Sequence, residues 1–346
     1  MLFAKRYQEA TTFLTDIQQP IGGDNAKVEL DNMLFLWPVH RLAKGQSNQI
    51  NDNSYAGAVW RYNGDNKNEE KTLVFAMVMR EHDSVYFSSL FTQDIQGEGR
   101  MAIELLVNDI RAAANANQNN PYMITSMDGD DSMIHLVKEI WEQQEQQTAN
   151  SPVFDMNSRF AVWSYTVEAS RKEDMEALTK TALPKQQEGY SLRQATYIEL
   201  PHLMNWVTDY FLYYKDYFPS DHFVKELEKL VFTRCTEQLL LGNIYFFCDP
   251  IHKEGGGLPV SMIWQHIPLS HGTSIGYVYT PPESRKQGLG GAMVSAFCLE
   301  LLKKYKYINI TVEGKQNPTD NMYTRLGFRF EGTRYCYRRI PNNNNN

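Results

Sequence analysis

The sequence predicts an α/β (α+β) protein built from two consecutive halves of similar plan, each a mixed, mainly antiparallel sheet flanked by helices. Three observations carry the prediction. Strand-like and helix-like stretches alternate from residue 190 onward in an order that completes one such sheet. The hexapeptide Arg285-Lys286-Gln287-Gly288-Leu289-Gly290 joins an apolar strand to a long amphipathic helix. A fainter version of the same order runs through residues 1–170.

In chain order, residues 7–17 and 26–36 read as helices, and 55–62, 72–80 and 84–90 as strands rich in β-branched and aromatic residues. A helix over 100–114 follows Gly97-Glu98-Gly99. Residues 122–127 read as a strand, 132–145 as a helix, and 152–170 as the last strands of this half. The polar segment 171–189 reads as a connector. In the second half, 190–196 is a strand, and 200–218 and 222–239 are helices separated by Pro219. Strands 244–248 and 258–266 flank a loop containing Gly255-Gly256-Gly257, and strand 274–280 completes an antiparallel meander. The helix 288–305 puts Leu289, Met293, Ala296, Phe297 and Leu301 on one face and ends in Lys303, Lys304 and Lys306, which suit its negative pole. Strand 308–312 includes Asn309-Ile310-Thr311, read as strand rather than as a glycosylation site. A short helix is expected to open on Asn317 as N-cap, with Pro318 in its first turn and Asp320 in the capping-box position, and to close on Gly327. Residues 329–340 complete the sheet as a hairpin, and 342–346 form a low-complexity asparagine tail expected to be disordered.

At 346 residues with 42% hydrophobic and 22% charged composition, the chain is long enough for two cored domains. Cys235, Cys248, Cys298 and Cys336 lack C-x-x-C spacing or histidine partners, which points to neither a metal site nor a disulfide framework. The first residues, with Lys5, Arg6 and Glu9, contain no apolar signal region, and no apolar run reaches membrane-span length, so a cytoplasmic protein is expected. Residues 190–346 hold 17 Lys/Arg against 14 Asp/Glu; subtracting from the totals of 34 and 41 leaves 17 against 27 for the first part. The mildly basic half is the one containing the hexapeptide, as an anionic ligand favours. No basic stripe interleaved with aromatics is present, which argues against nucleic acid as the main partner.

The hexapeptide is a phosphate cradle in chemical terms. Backbone N–H groups at a helix start, helped by the helix dipole, bind anions, and glycines let a bulky diphosphate approach the main chain. Arg285 adds a cation. About thirty residues later come Asn317-Pro318-Thr319, Tyr323 and Leu326-Gly327-Phe328.

Together with Gly276-Tyr277-Val278-Tyr279-Thr280-Pro281-Pro282-Glu283, these motifs closely resemble the GNAT superfamily of N-acetyltransferases. They resemble in particular a two-domain subgroup with a degenerate first domain. The resemblance covers most of residues 190–341 and implies tandem GNAT folds, with 1–170 the degenerate domain and 190–341 the catalytic one. It implies an acetyl-CoA-dependent transfer of an acetyl group to a primary amine on a small molecule or peptide, with acetyl-CoA as co-substrate and no metal.

By the same resemblance, Val278, Tyr279 and Thr280 lie on a strand that splays from strand 308–312 and binds the pantetheine arm. The N–H groups of Lys286, Gln287, Gly288, Leu289, Gly290 and Gly291 cup the diphosphate beside Arg285, and Asn317 either caps its helix, bonds the arm, or does both. Tyr323 is the phenol that protonates the leaving thiolate; a tyrosine with pKa about 10 suits a thiol with pKa about 8.5. A core tyrosine is the competing reading. A proton acceptor for the amine is sought among Glu313, His266 and Glu283, with Glu313 taken forward and a water relay equally compatible. Seven aromatics between Trp206 and Phe218, among them Tyr210, Phe211, Tyr213, Tyr214 and Tyr217, exceed one buried stripe, so two or three are expected to line an acceptor pocket or an interface.

In the first half, Asp94 stands three residues before Gly97 where a basic or amide residue is expected, and no Asn-Pro-Thr, Tyr or Gly-Phe follows. A structural pseudo-domain is therefore expected, with one active site per chain. The alternative function is a CoA-binding or interaction protein that keeps the fold without turnover.

Overall fold

A computed structural model describes residues 1–44, 50, 54–63, 70–79, 84–116, 126–129, 131–145, 154–213, 221–251, 256–266, 268–314 and 317–339. The chain divides into two compact units, Met1–Val162 with Thr333–Asn346, and Trp163–Gly332.

The first unit contains β1 (Leu2–Arg6), α1 (Ala10–Gly22), α2 (Ala26–Asp31), α3 (Met33–Ala43), β2 (Tyr55–Tyr62), β3 (Lys71–Met79), β4 (Ser84–Phe87), α4 (Arg100–Ala116), β5 (Ser126–Gly129) and α5 (Asp131–Glu145). Strand β1, absent from the sequence reading, pairs antiparallel with β2 from Leu2↔Arg61 to Arg6↔Gly57. β2, β3 and β4 continue antiparallel, and β4 pairs parallel with β5. On α4, Ala102, Ile103, Leu106, Val107 and Ile110 recur at helical spacing and are fully buried against Val74, Phe75 and Met77 of β3.

Two long strands follow different routes from those expected. β6 (Phe154–Glu168) is one continuous strand whose end, from Trp163, belongs to the second unit. β12 (Arg329–Arg339) is likewise a single strand, not a hairpin, and passes Gly332 at φ +143°, a conformation open to glycine. Beyond that glycine it pairs with β5, from Tyr335↔Gly129 to Arg338↔Ser126, and Tyr337 is buried in the first unit's core. The last strand of the chain thus completes the first unit, although sequence order puts it with the second.

The second unit comprises the end of β6, α6 (Lys172–Gln187), β7 (Ser191–Gln194), α7 (Leu200–Tyr213), α8 (Asp221–Leu240), β8 (Ile244–Cys248), β9 (Pro259–Gln265), β10 (Gly272–Tyr279), α9 (Leu289–Leu301), β11 (Tyr307–Glu313), α10 (Met322–Arg325) and the start of β12. Its strand order is β6-β11-β10-β9-β8-β7. β7, β8, β9 and β10 are antiparallel neighbours, whereas β10 and β11 run parallel. One face carries a core of Leu178 from α6, Met293 and Phe297 from α9, and Ile275, Ile308 and Ile310 from the sheet. The other carries Leu203, Trp206 and Phe211 of α7 and Val231 of α8 against Phe246, Met262 and Trp264. Segment 171–189, expected as a connector, is mostly α6. Its Leu178 and Ala182 are buried, which is why α9 is covered around more of its circumference than one amphipathic stripe requires. The asparagine tail, Tyr214, Tyr217, Phe218, Pro219 and Gly255 lie outside the described residues.

Candidate functional site

The site region begins with a break in the sheet. Between Gly276↔Trp264 and Tyr279↔Met262, three steps along β10 match two along β9, a bulge with one extra residue on β10. Tyr277 in this bulge has φ +47°, the left-handed region that a bulky side chain seldom enters. Its ring is stacked on Trp264 with centroids 4.0 Å apart and lies 5.0 Å from Tyr210. Its hydroxyl accepts from Arg234 Nη1 at 2.6 Å. The parallel ladder between β10 and β11 ends at Ile275↔Ile310, just before the bulge. Val278, Tyr279 and Thr280 therefore lie beyond the last β10–β11 pair, where a splay is expected.

Past the bulge, Val278 packs against the α9 core, as Val312 and Tyr323 also do. Tyr279 points to the α7 side, where its hydroxyl donates to Asp209 Oδ2 at 3.1 Å. Burial, followed by the charge of Asp209, raises the phenol pKa, so Tyr279 stays neutral. Before the bulge, a Cβ on Gly276 would stand 2.2 Å from His266 Nε2. The missing side chain thus makes room for the imidazole over β10.

The cradle follows directly. A turn over Pro282–Ser284 leads to Arg285, whose Nε donates back to the Thr280 carbonyl at 2.8 Å. Lys286 has φ +61°, and Gly288, the residue before α9, has φ +76°. A Cβ on Gly288 would meet nothing within 4 Å, so its glycine serves backbone conformation and leaves the cradle open. At Gly290 a Cβ would sit 3.2 Å from Thr280 Oγ1, tighter than usual, so this glycine permits close approach of the strand end; at Gly291 it would make an ordinary contact with Leu326 at 3.6 Å. The bond from Ala292 N–H to the Gly288 carbonyl is 3.0 Å, which leaves the N–H groups of Leu289, Gly290 and Gly291 ahead of it at the positive end of α9. Arg285, Lys286 and Gln287 are exposed, and the buried Leu289 side chain anchors the helix start in the core.

The second motif differs from expectation in one respect. Asn317 does not cap α10. Its Oδ1 accepts from the backbone N–H and the hydroxyl of Thr319, both at 2.9 Å, closing a local turn. The cap is Asn321, whose Oδ1 accepts from the N–H groups of Tyr323 at 2.9 Å and Thr324 at 3.3 Å. Its Nδ2 donates to Tyr165 Oη at 2.7 Å and to the carbonyls of Asn317 and Pro318. Burial raises the pKa of Tyr165. Tyr323 is half-buried, its ring 6.1 Å from that of Tyr165 and 5.8 Å from Phe328. Gly327, at φ +94°, ends the turn as expected of a helix stop. Glu313 is half-buried at the end of β11. The structure thus gathers Val278, Leu289 and Tyr323 on one core, with Gly290, Gly291 and Arg285 packed or bonded to its edge. Sequence reasoning missed Asn321 and Tyr165; the spacing Asn321-x-x-Thr324, a capping box, was the available signal for the first.

In the first unit the corresponding loop is already filled. The Asp94 carboxylate accepts from the N–H groups of Gly97 at 2.9 Å and Glu98 at 3.2 Å. Glu98 in turn holds Arg61 in a two-pronged ion pair at 2.9 and 3.1 Å. A cavity of roughly 790 Å³ opens there, and its charged lining, Asp94, Glu98 and Arg61, has acid in excess. An incoming diphosphate would meet a carboxylate where it needs N–H donors.

Cysteine chemistry is poorly served. All four thiols are buried, and burial pushes Cys248 up to about 11, Cys235 up to about 12 and Cys298 higher still, away from the reactive thiolate. Among the described residues no group of three or more His, Cys, Asp or Glu side chains could hold a metal ion, and no helix is long and apolar enough to cross a membrane.

Residues 258–338, which contain β9 to most of β12, the 285–291 cradle and the Asn317–Thr319 loop, match the model of the FR47-like protein family. No curated protein matches the chain in sequence. Solved structures share its fold across both units. A Drosophila protein is 12% identical at a TM-score of 0.55, covering 98% of this chain and 99% of its own. A GNAT-family acetyltransferase from Colwellia psychrerythraea is 10% identical at 0.51, covering 98% of this chain and 100% of its own. A tandem GNAT protein from the clavulanic acid biosynthesis pathway is 12% identical at 0.51, covering 99% and 100%. At 10–12% identity these likenesses show the fold: the chain has the tandem GNAT fold, with its FR47-like match confined to residues 258–338.

Proposed function

We propose that the second unit binds acetyl-CoA and transfers its acetyl group to a primary amine on a small molecule or peptide. One observation carries the reading: of the two corresponding loops, that of the first unit holds its own carboxylate, whereas 285–291 presents bare helix-start N–H groups beside Arg285 and Lys286. The donor set fits a diphosphate, and the absence of a Cβ at Gly288 and Gly290 fits its bulk.

In this reading the N–H groups of 286–291 and the Arg285 cation hold the diphosphate. Val278, Tyr279 and Thr280, beyond the last β10–β11 pair, take the pantetheine arm as an added strand, with Asn317 beside it. The neutral amine attacks the thioester carbon; the C–N bond forms, the C–S bond breaks, and the thiolate leaves. Tyr323 gives it the phenolic proton. Glu313 takes the proton released by the new ammonium, a backbone N–H near Tyr279 or Thr280 stabilises the oxyanion, and no covalent acyl-enzyme is needed. In this reading the first unit is a structural pseudo-domain without a CoA site of its own, its loop being occupied by Asp94. A cytoplasmic setting, in which free thiols stay reduced, suits the chemistry.

The test is to mix the protein with acetyl-CoA and a panel of peptides, amino acids, polyamines and aminoglycosides and to follow free thiol. Release above the spontaneous rate with at least one amine is expected. Calorimetric CoA binding without release would instead make this a CoA-binding protein that has lost turnover.

A further inference from the structure

We infer that Asn321, keyed by Tyr165, is a positioning residue that fixes the acid Tyr323 relative to the Asn317–Thr319 loop. The assignment rests on the acetyltransferase reading above.

The side-chain amide of Asn321 is 5% exposed and divides its bonds cleanly. The oxygen faces α10, accepting from the Tyr323 and Thr324 N–H groups, and the nitrogen faces the loop, donating to Asn317 O at 3.1 Å and Pro318 O at 3.3 Å. Tyr165 locks that orientation. Its hydroxyl accepts from Nδ2 and donates its own hydrogen to the Pro318 carbonyl at 3.0 Å, so a flipped amide would set its oxygen against two carbonyls. Thr324 completes the lock, its hydroxyl accepting from the Asn321 N–H at 3.0 Å. One buried amide therefore ties together a strand, the loop bearing Asn317 and the first turn of the helix that carries Tyr323. A four-residue helix has little rigidity of its own, and its direction is set by this node. In the transfer, the Tyr323 O–H bond breaks as its proton passes to the thiolate sulfur, and the phenolate regains a proton from solvent. A displacement of that oxygen by an ångström is enough to slow the step.

Asn321→Asp separates positioning from mere capping. A carboxylate caps a helix N-terminus as well as an amide does, so the α10 cap survives. The two carbonyls and the Tyr165 hydroxyl, however, lose their donor and face a negative charge. We expect Asn321→Asp to lower Tm, because the buried carboxylate faces carbonyls without a donor, and in the folded protein to lower kcat at least about tenfold while KM for acetyl-CoA changes far less. Tyr165→Phe, which keeps the ring and removes only the hydroxyl, should show a smaller loss of the same kind. In the background of Tyr323→Phe, neither substitution should lower kcat further, because both act through that phenol. Losses that multiply with Tyr323→Phe, or kcat within about twofold of wild type for both variants, overturn the assignment. If Asn321→Asp does not fold, the Tyr165→Phe arm decides by the same criteria. Absence of turnover in the wild-type protein overturns the acetyltransferase reading itself, a distinct outcome.

Discussion

Arg285 and Thr280 tie the cradle to the strand that precedes it: Arg285 Nε donates to the Thr280 carbonyl at 2.8 Å, and the guanidinium stands 5.8 Å from the Tyr279 ring. The cation is thereby held beside the end of β10, between the diphosphate donors and the proposed path of the pantetheine arm.

Charge reversal there should be felt in binding. Arg285→Glu is expected to raise the Kd for CoA at least tenfold, a loss of about 1.4 kcal/mol. Arg285→Lys keeps the charge but not the Nε bond and should fall between. Titration calorimetry checks both, and unchanged affinity in Arg285→Glu removes this residue from the site.

Tyr323→Phe should lower turnover by at least about tenfold while CoA affinity stays within twofold. Ring packing at 6.1 Å from Tyr165 and 5.8 Å from Phe328 is preserved, so the melting temperature should hold. An undiminished rate assigns thiolate protonation to another acid or to water.

Removing the chain from residue 333 onward should destabilise the first unit, because Cys336 and Tyr337 are buried and β5 loses its antiparallel partner. Tyr337→Ala alone should cost roughly 3–5 kcal/mol, the range for a large aromatic lost from a core. Denaturant unfolding measures it; an unshifted midpoint would show that the strand contributes nothing there.

Acid should weaken the first unit through His40 on α3. Burial, reinforced by the nearby charge of Lys44, lowers this histidine from 6.5 to about 4. A folded pKa below the unfolded one contributes stability that is complete above about 6.5 and is lost as pH falls towards 4. The wild-type melting temperature should therefore drop more steeply across that window than that of His40→Gln, and parallel profiles would exclude His40 as the source.

Much of the second unit was legible because its signals are local. Glycines at 288 and 290, prolines at 281 and 282 and the apolar period of α9 each constrain their own neighbourhood, and they place the cradle within a residue or two. What escaped depended on contacts distant in sequence. Asn317 looked like a cap, but its oxygen is taken by Thr319, and the helix waits for Asn321, whose amide also needs Tyr165, 156 residues earlier. The polar composition of 171–189 hid Leu178 and Ala182, which share one helix face. Strand β1 contains Lys5 and Arg6, whose charges mask an extended edge strand.

The route of β12 also bears on synthesis. The first unit comprises the opening part of the chain, yet its sheet lacks β5's second neighbour until residues 335–338 leave the ribosome. Its β5 edge stays open through translation of the whole second unit, and this protein completes its beginning last.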